Sequence, residues 1–161
     1  MNKTEIERKF LVNIMPDLSG IPMEEQDRYF LELGEKEKRI TRINNRYIYE
    51  EKTKGNGLTA EKIVREISKD EFEKFKLTAT NSLERKSYVL SKSPEVLIKV
   101  YSGVFDGLVR AEFEFENEDE AKKFVSPDWV GKEITETEIG RDGRLIQLSR
   151  EEFLEILEAL N

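Results

Sequence analysis

The chain has 161 residues, of which 38% are charged and 37% hydrophobic, with a formal net charge of −7. That length suits one domain over residues 1–161 with a buried core, and the acidic balance argues against duplex nucleic acid as a partner, since its binders present a basic face. With no Cys and no His, the chain has no disulfide, no thiolate or imidazole zinc site, no cysteine nucleophile and no histidine base.

The first predicted strand alternates Glu5, Glu7 and Lys9 with Ile6, Arg8 and Phe10, which places two carboxylates and an ammonium on one face. Period-two patterns predict further strands at about 28–34, 37–43, 46–54 and 60–67, with Gly55-Asn56-Gly57 as a turn. Ser68 and Glu71 form a capping box that opens a helix carrying Phe72, Phe75 and Leu77. Strands are predicted again at about 84–91 and 95–102, separated by a turn at Ser93-Pro94. The clearest alternation runs from Val109 to Glu116, with Arg110, Glu112, Glu114 and Glu116 opposite Val109, Ala111, Phe113 and Phe115. Asn117 with Glu120 opens a short helix holding Ala121 and Phe124, and a strand follows at about 130–135. Ser149 with Glu152 opens a terminal helix whose Phe153, Ile156, Leu157 and Leu160 form one apolar stripe. There is no internal repeat, low-complexity tract or linker, so the reading is one α+β domain dominated by antiparallel strands.

A charged strand face can simply be solvated, and each charge taken singly fits that reading. Two carboxylate pairs with basic strands between them are better explained by a closed barrel with a polar lumen, where opposite charges neutralise one another and hold a ligand. Arg39, Lys52, Lys54, Lys62, Arg85 and Lys99 can all point inward on a period-two reading. Together they suit a polyphosphate, whose several oxygens reward several cations. Any metal must be held by oxygens, which suits Mg²⁺ or Mn²⁺. Phosphoryl transfer depends on positioning and electrostatics, so it needs neither His nor Cys. No apolar run approaches the roughly 20 residues of a membrane span, and Met1-Asn2-Lys3-Thr4-Glu5 is no signal peptide. A cytoplasmic location without a membrane partner is expected.

With these motifs in place, the chain resembles the CYTH superfamily, the triphosphate tunnel metalloenzymes, which include inorganic tripolyphosphatases, thiamine triphosphatases and class IV adenylate cyclases. Glu5, Glu7 and Lys9 match its N-terminal Glu-x-Glu-x-Lys, and Leu108-Val109-Arg110-Ala111-Glu112-Phe113-Glu114-Phe115 and Pro127-Asp128-Trp129-Val130-Gly131-Lys132-Glu133-Ile134-Thr135 match its late pattern. The resemblance implies an eight-stranded antiparallel β-barrel, the triphosphate tunnel, with helices packed outside. It implies a metal site of Glu5, Glu7, Glu112, Glu114 and Glu133 for Mg²⁺ or Mn²⁺, with Lys9 joining the first four as catalytic residues. For the phosphates it implies Lys9, Arg39, Lys52, Lys62 and Arg85, with Lys54 and Lys99 as neighbouring inward cations and Glu66 as the second Glu of a mid-chain Glu-x-Glu.

The activity so implied is divalent-metal-dependent hydrolysis of inorganic tripolyphosphate or an organic triphosphate. Nothing in the sequence marks an adenine pocket, so cyclase activity ranks below hydrolysis, and a homodimer is left open. Four lumen positions depart from the family pattern. Arg-x-Arg reads Arg39-Ile40-Thr41, Glu-x-Glu reads Val64-Arg65-Glu66, Lys-x-Arg-Tyr reads Arg85-Lys86-Ser87-Tyr88, and Glu-x-Asp reads Leu97-Ile98-Lys99. They favour an altered substrate or weakened catalysis, and the alternative function is a non-catalytic polyphosphate- or nucleotide-binding module. A shift of one residue over 55–66 would turn Glu61 and Arg65 inward instead.

Overall fold

The computed structural model describes residues 2–55 and 58–161. The strands are β1 (Asn2–Val12), β2 (Met23–Glu32), β3 (Lys36–Ile43), β4 (Arg46–Lys54), β5 (Thr59–Ile67), β6 (Asn81–Lys92), β7 (Glu95–Tyr101), β8 (Val109–Glu114) and β9 (Val130–Glu133). They are hydrogen-bonded in the order β5-β4-β3-β2-β6-β7-β8-β1, and β1 returns to β5 with Asn2 opposite Ile63 and Ile6 opposite Thr59. An eight-stranded antiparallel barrel is thereby closed, as the resemblance implied. The ninth strand, β9, lies outside the circle, beside the C-terminal half of β1. The expected turn at Gly55-Asn56-Gly57 falls at Asn56 and Gly57 outside the described residues.

Strand alternation decides what the barrel holds. Because successive side chains point to opposite faces, the inward set of β1 is Lys3, Glu5, Glu7 and Lys9, and its outward set is Ile6, Arg8 and Phe10. Outward residues form the core. Phe10, Ile98, Ala111 and Phe113 pack together beneath α2 (Glu118–Lys123), Phe124 and Trp129, with Phe10 and Phe113 edge to face at 5.6 Å between centroids. On the far side Ile40 and Ile67 pack with Phe72 of α1 (Lys69–Lys76), with Tyr29, Tyr47 and Tyr49 against them.

A third cluster lies against one end of the barrel. There the inward parity turns apolar at Leu11, Phe30, Leu83 and Tyr101, which meet Ile134, Ile139, Leu145 of α3 (Asp142–Leu145) and Phe153 of α4 (Arg150–Leu160). Both expected capping boxes form, Ser68 with Glu71 and Ser149 with Glu152. Three expectations differ. β2 begins at Met23 rather than near 28, because the pairing of Met23 with Tyr88 extends the ladder that far. Phe124 is an extended C-cap rather than a helical residue, since its ring turns back onto Phe113 and Phe115. Leu77 ends α1 at 86% exposure, past the one turn of helix that reaches the barrel. Among the described residues, no helix is long and apolar enough to cross a membrane.

Candidate functional site

A cavity of about 610 Å³ runs through the barrel, lined by side chains from all eight barrel strands and from α3. Its charges fall into two clusters. In the first, Asp142 is the hub. Arg28 Nη1 donates to its Oδ2 at 2.7 Å, Arg85 Nη1 to Oδ2 at 2.6 Å, Arg110 Nη2 to Oδ1 at 3.0 Å and the Tyr101 hydroxyl to Oδ1 at 2.8 Å. Burial alone would lift this carboxyl, but Arg85, Arg110 and Arg28 hold it well below the usual carboxylate range. Its backbone comes this close because Gly143 follows it, where a Cβ would run into the Glu37 carboxylate.

The second cluster is built on β1, β4, β5 and β8. Glu5 accepts from Lys62 Nζ at 2.6 Å and pairs with Lys52 at 3.4 Å. Burial opposes ionisation there, yet Lys52 and Lys62 bring the Glu5 carboxyl down to about 2. Glu7 shares Lys52 at 3.5 Å and takes Lys9 at 3.2 Å, while Lys9 Nζ also donates to the Gly140 carbonyl at 2.8 Å. Burial would raise the Glu7 carboxyl as well, and Lys9 and Lys52 keep it below its ordinary value. Glu114 stands directly opposite Glu7 across the β1–β8 ladder. Burial, then the charges of Glu7 and Glu5, push it up to about 7.

Three further residues, Glu112, Lys99 and Arg39, join the clusters. Glu112 takes Lys99 at 2.8 Å and Arg110 at 2.7 Å, and burial with Arg85 nearby pushes the Lys99 ammonium down to about 7 against the pull of Glu112. Arg39 is loosely held, its Nη1 at 3.3 Å from Glu37 and its Nη2 at 3.5 Å from Glu50. Among the described residues, Arg39 Nε is the one buried side-chain nitrogen or oxygen without a hydrogen-bond partner. A buried donor left unpaired is costly, and this one sits on a residue of the cavity wall.

The barrel therefore brings Glu5, Glu7, Lys9, Arg39, Lys52, Lys62, Arg85, Lys99, Glu112 and Glu114 to one cavity. Lys54 reaches only its edge, half-exposed and 3.7 Å from Glu136. The structure does not bring in Glu66 or Glu133. Glu66 shares the parity of Lys62 but sits at the far end of β5, paired with Arg46, both side chains 61% exposed. Glu133 lies on β9, outside the closed circle, where Arg8 grips it at 2.6 and 3.0 Å. The shifted register over 55–66 is also excluded. Glu61 accepts from Thr4, and Arg65 pairs with Glu71 of α1, while Lys62 and Val64 line the cavity.

Sequence reasoning missed Arg28, Glu50 and Asp142. Glu50 was within reach, because Ile48, Glu50 and Lys52 share one parity on a strand whose Lys52 was already read as inward. Arg28 was hidden by starting β2 too late to see Gln26, Arg28 and Phe30 alternate. Asp142 gave no signal, since α3 is four residues long and lacks a side-chain cap.

A search of family models finds no match. The inorganic triphosphatase of Nitrosomonas europaea is 31% identical over 138 residues, covering 83% of this chain and 90% of that protein. The crystal structure of an inorganic triphosphatase matches with a TM-score of 0.66 and 26% identity over 89% of this chain and 95% of that one. A protein from Pyrococcus horikoshii OT3 shares the fold, with a TM-score of 0.60 and 19% identity over 78% of this chain and 93% of its own.

Proposed function

This chain belongs to the CYTH superfamily, and on that premise we propose that it is a triphosphatase that hydrolyses inorganic tripolyphosphate with a divalent metal ion. The observation that carries the reading is Arg39, a buried guanidinium in the cavity wall with one donor unspent and two long, weak contacts. Together with Lys9, Lys52 and Lys62, whose present partners are Glu5, Glu7, Glu50 and the Gly140 carbonyl, it offers an anion several donors.

The donor set fits a hard cation in kind: all candidate ligands are carboxylates, and Glu114 is lifted by burial and by its acidic neighbours Glu7 and Glu5, a repulsion that a dication would relieve. Among the described residues, no three acidic side chains already stand around one point as a metal site, so binding would draw Glu5, Glu7 and Glu114 together. These are the residues that would hold Mg²⁺ or Mn²⁺, whose chemistry there is to neutralise phosphate oxygens and to acidify a water. The chain's own part is positional. Lys52 and Lys62, released from Glu5 in proportion as that carboxylate turns to other charge, would grip the terminal phosphates. Arg39 would orient one phosphate by its fork, and the barrel wall would exclude bulk water from the anion.

The test is a thermal melt with tripolyphosphate, with and without Mg²⁺, followed by a phosphate-release assay. A rise in melting temperature with phosphate release is expected. Stabilisation without release would select the polyphosphate-binding module, and no shift at all would sink both readings.

A further inference from the structure

The carboxylates of the cavity are not equally free. Glu112 lies on the same face of β8 as Glu114 and opposite Lys9 across the ladder to β1, so position alone would make it a metal ligand. Both of its oxygens are engaged. Lys99 Nζ stands 2.8 Å from Oε1, and Arg110 donates to Oε2 from Nε at 2.8 Å, with its Nη2 2.7 Å from the same oxygen. The three side chains are 12%, 5% and 1% exposed for Lys99, Glu112 and Arg110, so water cannot replace either contact cheaply. Arg110 is fixed in turn by Asp142 and by the Ile139 carbonyl. Glu114, two residues on, makes no ion pair among the described residues and feels chiefly burial and its acidic neighbours. One β8 carboxylate is thus saturated by the chain's own cations, and the other is left in excess.

We infer that Lys99 is a built-in substitute for a second divalent ion. The cavity takes one such ion, at Glu5, Glu7 and Glu114, and at Glu112 the Lys99 ammonium supplies the positive charge instead. The inference rests on the metal-dependent reading above and deepens it. An ammonium is a compact point charge with three donors, so it can neutralise a phosphate oxygen beside Glu112. It has no open coordination position, so it cannot acidify a water there, which confines that chemistry to the Glu114 side.

The measurement is a Mn²⁺ titration of the metal-free chain in the absence of any anion, with free aquo-Mn²⁺ counted by electron paramagnetic resonance. The wild type is expected to bind one ion per chain, and Glu112→Gln, with its melt still cooperative, to keep that count, since a saturated carboxylate is not a ligand. Lys99→Asp is expected to bind two, and the double variant Lys99→Asp/Glu112→Gln to return to one. A wild type that binds two ions, or that loses an ion with Glu112→Gln, would overturn the inference while leaving the metal-dependent reading standing. A Lys99→Asp chain that binds one ion, with its melt still cooperative, would overturn it in the same way. No ion on the wild type at millimolar Mn²⁺ would overturn the metal-dependent reading itself, and the substitution with it.

Discussion

Asp142 gathers three guanidiniums and a phenol at 2.6–3.0 Å, whereas Glu5 and Glu7 divide Lys52 between them at 3.4 and 3.5 Å, and Glu114 makes no ion pair among the described residues. The two clusters share one cavity and one vocabulary of residues, yet they differ in what they have left to give. Around Asp142 charges and donors are spent on one another. Such a network is stabilising only because it is complete, and removing one member leaves buried charge uncompensated. Around Glu5, Glu7 and Glu114 the pairing is uneven, since the lysines are shared by Glu5 and Glu7 while Glu114 makes no ion pair among the described residues, and the neighbouring Arg39 holds a donor in reserve. The first cluster behaves as architecture, and the second is the part that can answer to a ligand.

The largest expected effect breaks the first cluster. Asp142→Ala strands Arg28, Arg85 and Arg110 without their shared carboxylate, which should cost about 3–5 kcal/mol. In a chain of this size that lowers the melting temperature by on the order of 10 °C. The same carboxylate sets an acid limit. Its folded-state pKa lies well below the ordinary value, so its contribution is present above the unfolded pKa of roughly 4 and is lost as pH falls through that range toward the folded value. Wild-type melting temperature should therefore drop steeply below about pH 4, and Asp142→Asn should start lower and fall less. Parallel curves for the two chains would show that Asp142 is not the carboxylate that matters there.

A mid-sized effect separates grip from architecture. Arg39→Gln removes the guanidinium with the unspent Nε, while Glu50 keeps Arg28 at 3.2 Å and Lys62 at 3.2 Å. Calorimetric titration should show tripolyphosphate binding weakened by about 1–3 kcal/mol, the range for losing a charged donor. The melting temperature should move far less than for Asp142→Ala. If affinity is unchanged while stability collapses, Arg39 belongs with the first cluster and the contrast fails.

How much of this was legible depends on where each constraint acts. The barrel wall was readable because alternation is local: Glu5, Glu7 and Lys9, or Arg110, Glu112 and Glu114, declare their common face within a few residues. The capping boxes of α1 and α4 are local too. What could not be read was the return of a distant segment. Asp142 meets Arg28 across 114 positions and Arg85 across 57, and no period ties them. Glu133 shows the converse. Its motif is intact, but its placement depends on which edge of β1 the ninth strand takes, and that edge lies outside the circle. Lys99 and Glu112 are intermediate, since parity puts both inward but only the β7–β8 register brings them within 2.8 Å.

The smallest effect tests the second cluster from the other side. Glu114→Gln keeps the shape of the side chain and removes a charge that Glu7, directly across the ladder, and Glu5 both oppose. In chelator at neutral pH the variant should therefore melt no lower than the wild type, and by a degree or two higher, the scale of relieving one partly solvated like-charge contact by about 0.5 kcal/mol. The sign is the informative part, because the comparable loss of charge at Asp142 acts in the opposite direction. Adding Mg²⁺ should then reverse the order. An ion held by Glu5, Glu7 and Glu114 stabilises the folded chain according to its occupancy, and the variant has lost one ligand with which to hold it. Differential scanning fluorimetry over a Mg²⁺ series should show the wild-type curve rising through that of Glu114→Gln. Two curves that rise in parallel would mean that the ion, if bound, does not use Glu114.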